Sequence, residues 1–479
     1  VNKIEGLTNK LRIPSQHSQI IPKFNTKHEK NVPAVHVSHR TLTLKRERNA
    51  FLDNCKLMVG SMASSSSILT SPEQKNSPSI NAVLGNDDLV TEILLRVPPK
   101  AVLRFKLVSK KWLSIISKTS FATRHTLLNP HTVSALLLRV SFLFKGLLTR
   151  KYVSHEFDGR SLAYFPHDFL DFDPTNNPGC IHISQSCNGL LLCSNCIWEI
   201  PERFQPINYI FNPTTRQFGM LPPPPDNGLC FDSMQLVFDP SESSCYRVVC
   251  TQFVTSELKI YVYSSETKDL KLCVSQENFE FLSLNFTNGV SWNDAVHWVS
   301  RMGDGLSFLL DKECLETFPR PPLPENWQEQ NFKYFGESGG HLHFIGVLEG
   351  NQNPDDLNKG IVSPDMSHDH ITDQSIVVYT MERGFSKWFV KYYLHMKASV
   401  MAYPEITEDE DLAASPFSAA RFLSFIDGDK DERPLLVMQI PGEIISYCFK
   451  DKTFKKILRL PFNQAICQAF NHSETLSCV

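Results

Sequence analysis

The feature that most constrains this chain is a unit that recurs from residue 209 onward: an apolar run, a polar turn, a second run and an exit containing proline. It reads YIFNPTTRQFGMLPPPP from Tyr209, SFLLDKECLETFPRPPLP from Ser307 and ISYCFKDKTFKKILRLP from Ile445. Weaker copies are IYVYSSETKDLKL from Ile260 and VVYTMERGFSKWFV from Val377. Short runs of β-type residues between turn residues, without a helical period, read as strands. Each copy is then a hairpin, and a lone hairpin cannot bury its own face. The turns fall near Asn212, Ser265, Asp311, Met381 and Asp451, separated by about 50 to 70 residues, which is the range of propeller blades with inserted loops. Stacking such sheets around an axis covers their faces and leaves only short edges. Residues 133 to 479 therefore read as an all-β, propeller-like domain. Five copies are legible and leave the blade number open, at six or more if others have diverged.

Ahead of this region lies material of another kind. In NDDLVTEILLRVPPKAVLRFKLVSKKW, residues 86 to 112, a first helix carries Leu89, Val90, Ile93, Leu94, Leu95 and Val97, six apolar residues in nine. A one-faced surface helix has three or four per two turns. Asn86, Asp87 and Asp88 offer capping oxygens and negative charge at its start, and Val97-Pro98-Pro99 ends it. A second helical pattern runs through Val102, Leu103, Phe105 and Lys106. Ser109 offers an N-cap to a third, with Trp112, Leu113 and Ile116. So small a unit seldom supports itself, and no cysteine lies between Cys55 and Cys180 to staple it. A partner, or the rest of the chain, must cover the remaining face.

Leu89, Glu92, Ile93, Leu94, Arg96, Pro98, Lys100, Leu103, Arg104, Val108, Ser109, Lys110 and Trp112 carry a resemblance: residues 84 to 128 resemble an F-box, with Gly85 and Asn86 where that pattern has Leu-Pro. The resemblance implies binding to the Skp adaptor of an SCF-type ubiquitin ligase and, through it, to cullin. Leu89, Ile93, Leu94, Pro98, Leu103 and Val108 are then the candidate adaptor contacts, with Trp112 shared between that contact and the helical core. Charge agrees: Leu84 to His125 hold eight Lys or Arg against three Asp or Glu, and a basic face speeds encounter with an acidic adaptor. CNGLLL from Cys187, the NPTTRQF turn, FDPSESSCYRVVC, GVSWNDAVHWV and FLLDKECLETFPRPPLP are similar to the F-box-associated domain of plant F-box proteins, over most of residues 180 to 325. The fold class expected is multidomain α+β, a small three-helix F-box followed by an all-β propeller-like domain. The function implied is a non-catalytic receptor that holds a protein substrate, which the sequence does not identify. A rival is a non-ligase kelch-like protein binding a small molecule or carbohydrate, its helices merely capping the propeller. Another is a kelch-type metalloenzyme using Cys and His.

Composition narrows the remainder. At 479 residues, 42% hydrophobic and a formal charge of -3, the chain has room for two or three domains and no global signal for nucleic acid. Thirteen irregularly spaced cysteines read as reduced thiols of a nuclear or cytoplasmic protein. The longest apolar run, Ala135 to Leu148, is interrupted by Arg139 and Lys145 and is too short for a membrane span. Residues 1 to 83 read as a disordered leader. Residues 1 to 60 hold eleven Lys or Arg against four Asp or Glu without periodicity, and Met58 or Met62 is a candidate start, leaving residues 1 to 61 outside the native product.

Catalytic and cofactor chemistry is not indicated. Cys193 and Cys196 form one CxxC, with Cys187 and Cys180 upstream, where a structural zinc site usually presents two pairs. His341 with His343 and His368 with His370 lack a third ligand at firm spacing and read as partly exposed polar positions. GESGGH from Gly336 opens onto a strand rather than a helix N-terminus, so it does not cradle phosphate. Gly189 and Gly289 read as turn or close-approach glycines, and Trp292 and Trp298 as packing residues. The loops that remain for partner recognition are PEITEDEDL from Pro404 and LEGNQNPDDLNKGIVSPDMSHDH from Leu348. The expectation is no metal, no cofactor and no enzyme.

Overall fold

A computed structural model of the chain describes residues 85–129, 133–144, 147–156, 163–164, 181–195, 206–225, 230–254, 256–279, 284–349, 374–384, 387–395, 420–427, 433–460 and 466–479. The expected leader and the segments from Pro404 and beyond Glu349 lie outside them.

The helical unit comprises α1 (Asp87–Leu94), α2 (Pro99–Phe105), α3 (Lys110–Ile116) and α4 (Thr119–Leu128). Asn86 caps α1, its side-chain oxygen accepting from the amides of Asp88 at 2.9 Å and Leu89 at 3.3 Å. The departure from Leu-Pro thus leaves the helix a working start. Ser109 caps α3 through the amide of Trp112 at 3.1 Å. The three expected helices are joined by a fourth, α4, whose buried residues are Phe121, His125 and Thr126. Two of those three are polar, so TSFATRHTLL shows no apolar stripe to read. His125 is held through Nε2 and the carbonyl of Val97 at 2.7 Å. Val90, Leu94, Leu95, Val102, Phe105, Trp112, Ile115, Ile116 and Phe121 form the helical core.

The β region is six four-stranded sheets. The first contains β1 (Ala135–Phe144), β2 (Leu147–Glu156) and β3 (Ala163–Tyr164). The second is β4 (Ile181–Cys187), β5 (Leu190–Asn195), β6 (Ile207–Asn212) and β7 (Gln217–Met220). The third is β8 (Ser233–Val237), β9 (Arg247–Val254), β10 (Glu257–Ser264) and β11 (Asp269–Gln276). The fourth is β12 (Val290–Trp292), β13 (Ala295–Val299), β14 (Gly305–Leu309) and β15 (Cys314–Phe318). The fifth is β16 (Phe332–Ser338), β17 (His341–Glu349), β18 (Gln374–Met381) and β19 (Phe389–His395). The sixth is β20 (Arg421–Ile426), β21 (Leu435–Ile440), β22 (Glu443–Cys448) and β23 (Thr453–Arg459), after which β24 (Ile466–His472) pairs with β1 as the innermost strand of the first blade. Six blades thus form a ring that the last strand closes, which answers the question of blade number.

All five sequence repeats are the two outer strands of blades two to six. The outer hairpin of blade one ends in the two-residue β3, which is why that copy was illegible. Each sheet is packed between two others, so its central strands are buried on both faces while outer strands such as β7 and β11 stay largely exposed. β18 is buried at every position, and such strands read as unbroken apolar runs rather than alternations. One apolar cluster fills each interface. Leu136, Leu138 and Val140 pack with Val437 and Ile444 of blade six, while Leu137 between them packs with Ile183 and Leu191 of blade two. This is the period-two alternation of a strand.

The segment after β24 crosses to blade two. Asn212, fully buried, donates its amide to the carbonyls of Thr475 at 3.2 Å and Ser477 at 2.7 Å, and its oxygen accepts from the Thr214 amide at 2.9 Å. Gly189, at φ +87°, lies where a Cβ would stand 2.5 Å from the carbonyl oxygen of Ser473, so its expected close approach is real. Trp292 donates its indole N–H across blades to Gly340, and Trp298 donates to Phe286. Removing the Asn212 amide leaves two buried carbonyls unsatisfied. Asn212→Ala is expected to cost about 2 kcal/mol or more, measurable by urea denaturation.

Two blades carry the same buried imidazole. His297 and His343 each sit third in the second strand of their blade; one ring nitrogen meets a hydroxyl of the third strand, Ser307 or Thr380. The other meets the carbonyl of Trp292 or Ser338 five residues back. Burial lowers both to about 4, and likewise His472. Because the unfolded chain then binds protons more readily, the stability these neutral rings support is complete above about pH 6.5 and drains away as the pH falls through about 4. Melting temperature should drop between those limits, and His297→Gln should flatten that slope.

Candidate functional site

The helical unit meets the propeller at one face. Ser134, just before β1, donates its amide to the His472 carbonyl at 2.9 Å. Lys100 in α2 reaches Glu474, Nζ to carboxylate at 2.7 Å. Ala135 is paired with His472 at the end of β24, so this is the face where every innermost strand ends.

Of the seven residues expected to touch an adaptor, Leu89 at 46% and Pro98 are exposed, and Ile93, Leu103 and Val108 are half-buried. Leu94, 1% exposed, and Trp112, 8% exposed, lie inside, Trp112 with its ring 5.2 Å from that of Phe105. Both support the surface from beneath rather than line it. The expectation for Leu94 is corrected accordingly: an i, i+4 partner of Val90 points to the same buried side. Around Leu103, the neighbour Val102 takes the buried position.

Sequence reasoning missed Leu107, 70% exposed, in the link between α2 and α3. The available signal was an apolar residue in a non-helical link with Arg104, Lys106 and Lys110 around it. Leu113, Leu127 and Leu128 are exposed as well.

The basic excess is only partly neutralised. Glu92 takes Arg124 at 2.6 Å and Arg96 at 3.1 Å, and the Arg124 hydrogen bond first, then that of Arg96, holds its carboxyl below the usual range. Lys111 pairs with Asp87 at 2.6 Å and bonds the Gly85 carbonyl at 2.8 Å. Arg104, Lys106, Lys110 and Lys118 have no acidic partner among the described residues. Leucine exposed beside unpaired cations is a surface that can bury apolar area against a partner while steering an acidic one.

The propeller encloses an axial channel of about 1790 Å³ lined by the innermost strands. Serines, glutamines and asparagines such as Ser184, Gln185, Ser233, Gln235, Ser424 and Asn471 make up much of the wall. Within it, burial lifts the Glu337 carboxyl to about 7 and the Cys187 thiol to about 12, so the thiol stays protonated and is no ready nucleophile. Cys193 is fully buried with its thiol pushed up by burial; Cys180 and Cys196 lie outside the described residues. No group of three or more metal-ligating side chains occurs among the described residues. His343, expected as partly exposed, is fully buried with both ring nitrogens engaged, because the hydroxyl and carbonyl around it satisfy the ring. His341 is half-buried, and His368 and His370 lie outside the described residues. Of the GESGGH glycines, Gly336 lies in β16 opposite His343, and Gly339 and Gly340, at φ +61° and +79°, form the β16–β17 turn.

Residues 86–124 match the F-box domain model and residues 156–333 the F-box associated beta propeller domain. F-box protein At5g07610 of Arabidopsis thaliana is 30% identical over 404 residues, 80% of this chain and 87% of that protein. Putative F-box only protein 10 of Arabidopsis thaliana is 29% identical over 250 residues, 50% of this chain and 59% of that protein. Among solved structures, the beta-propeller domain of the Trilobed protease from Pyrococcus furiosus aligns over 68% of this chain and 80% of that one, at 9% identity. The TM-score of that alignment is 0.32.

Surface and core leucines should separate in the laboratory. Leu107→Asp is expected to move stability by no more than about 0.5 kcal/mol. Leu94→Asp, which buries a carboxylate without a partner, should cost about 3 kcal/mol or more and melt the helical unit; circular dichroism during thermal unfolding reads both.

Proposed function

This chain belongs to the F-box proteins that carry an F-box-associated β-propeller, and on that footing we propose that it serves as the substrate-recognition subunit of an SCF-type ubiquitin ligase. Proteins of this family are generally substrate adaptors rather than enzymes. In the proposal the helical unit grips a Skp adaptor and through it cullin, and the propeller holds the protein to be modified.

The observation that carries the reading is the surface of residues 85–128. Leu107 stands exposed in the stretch that holds Arg104, Lys106 and Lys110, and Leu89 is exposed on α1, on a unit whose family match is to an adaptor-binding module. Leu89, Pro98, Ile93, Leu103, Val108 and Leu107 are the contacts we assign to the adaptor. The chain then contributes position rather than chemistry: tethering a target beside the conjugating machinery raises the effective concentration of its lysines. Free thiols at the ten described cysteines support a nuclear or cytoplasmic place of action.

The axial channel does not favour the small-molecule alternative. At about 1790 Å³ it exceeds the roughly 300–1,000 Å³ of sites that enclose drug-sized ligands. Coexpression of the full chain with a Skp adaptor tests the proposal. The two should copurify, and Leu107→Asp combined with Arg104→Glu should weaken the complex at least tenfold, about 1.4 kcal/mol. A folded chain that captures no adaptor would overturn the reading.

A further inference from the structure

We infer that residues 472–479 form an alignment joint: the segment that completes the propeller ring also locks the helical unit onto it, so that adaptor-binding helices and propeller move as one body. Its purpose rests on the ligase reading; its existence rests on geometry alone.

The segment is held at three places in succession. The carbonyl of His472 takes both the amide and the hydroxyl of Ser134, at 2.9 and 3.1 Å, where the chain passes from the helical unit into β1. Two residues on, the Glu474 carboxylate, its side chain only 18% exposed, takes Lys100 Nζ at 2.7 Å with one oxygen and the Lys100 backbone amide at 3.4 Å with the other. Beyond it, Thr475 and Ser477 are fixed to blade two: their carbonyls accept from buried Asn212, and the Thr475 amide donates to the Thr214 hydroxyl at 3.3 Å. Gly189 supplies the room for Ser473 and Thr475.

Glu474 is thus anchored on both sides before it meets Lys100. A surface ion pair between two swinging side chains decides little. Here one carboxylate on a pinned backbone holds both the side chain and the main chain of a single residue, which fixes direction as well as distance. Lys100 is in turn the second residue of α2, whose Val102 and Phe105 belong to the helical core, so the constraint passes into the whole unit. Glu474 is on this account a positioning residue: it touches neither adaptor nor target.

The test uses the full chain with spin labels introduced as unnatural amino acids at exposed Ser120 in α4 and Thr267 in the β10–β11 turn, read by pulsed electron resonance. The intact protein should give one narrow distance distribution. Glu474→Lys should broaden it at least twofold while adaptor capture stays within twofold and the propeller melts unchanged. Lys100→Glu added to Glu474→Lys should narrow it again. A narrow distribution in Glu474→Lys, or a double variant as broad as the single one, overturns the inference. Should Glu474→Lys fail to fold, Glu474→Gln removes the charge at constant shape and is judged by the same criterion. Failure of the intact chain to capture adaptor would sink the ligase reading while the distances still decide the joint.

Discussion

The structure depends on the pairing of β24 with β1. Seven residue pairs, from Ala135 with His472 to Ser141 with Ile466, join ends of the propeller region that are more than 300 residues apart in sequence. The entropic cost of so long a loop is tolerable because it grows only logarithmically, by about 0.6 kcal/mol per doubling of length. Pairing offsets it by sealing two interfaces at once: the blade-six contact through Cys467 and the blade-two contact through Phe470. An open ring would instead present β1 as an unpaired edge, with neighbouring blades each missing a face.

Much of this was legible in the sequence, and the failures have physical causes. Hairpins announced themselves because a third and fourth strand share a tight polar turn, as at Asn212, whose oxygen organises the next two amides. β24 was not legible. Its partner is remote, and nothing in ICQAFNH distinguishes an inner strand of blade one from any other. The caps at Asn86 and Ser109 were readable because capping is a local bond between a side chain and an amide two or three residues on. α4 was not, since its burial is secured by His125 and Thr126 rather than by an apolar stripe.

The candidate site followed the same rule. That residues 86–112 carry more apolar residues than one surface needs was evident, and so was the basic excess. Which leucine faces which way was not, because it depends on helices crossing. Leu94 turns into the core, while Leu107, in a link with no period of its own, stands out. Likewise, His343 could be seen as half of an H-x-H pair, whereas only the assembled blade brings Thr380 and Ser338 to its two nitrogens.

The place of β24 in the chain has a consequence for biosynthesis. The helical unit leaves the ribosome first, with its core contained between Val90 and Phe121, while the ring cannot shut until the residues up to His472 have followed. A product interrupted anywhere in between keeps the docking helices and lacks a finished platform. On the ligase reading, such a fragment would occupy adaptor without delivering cargo and would compete with intact copies, so premature termination in this gene would act as an inhibitor rather than a simple loss.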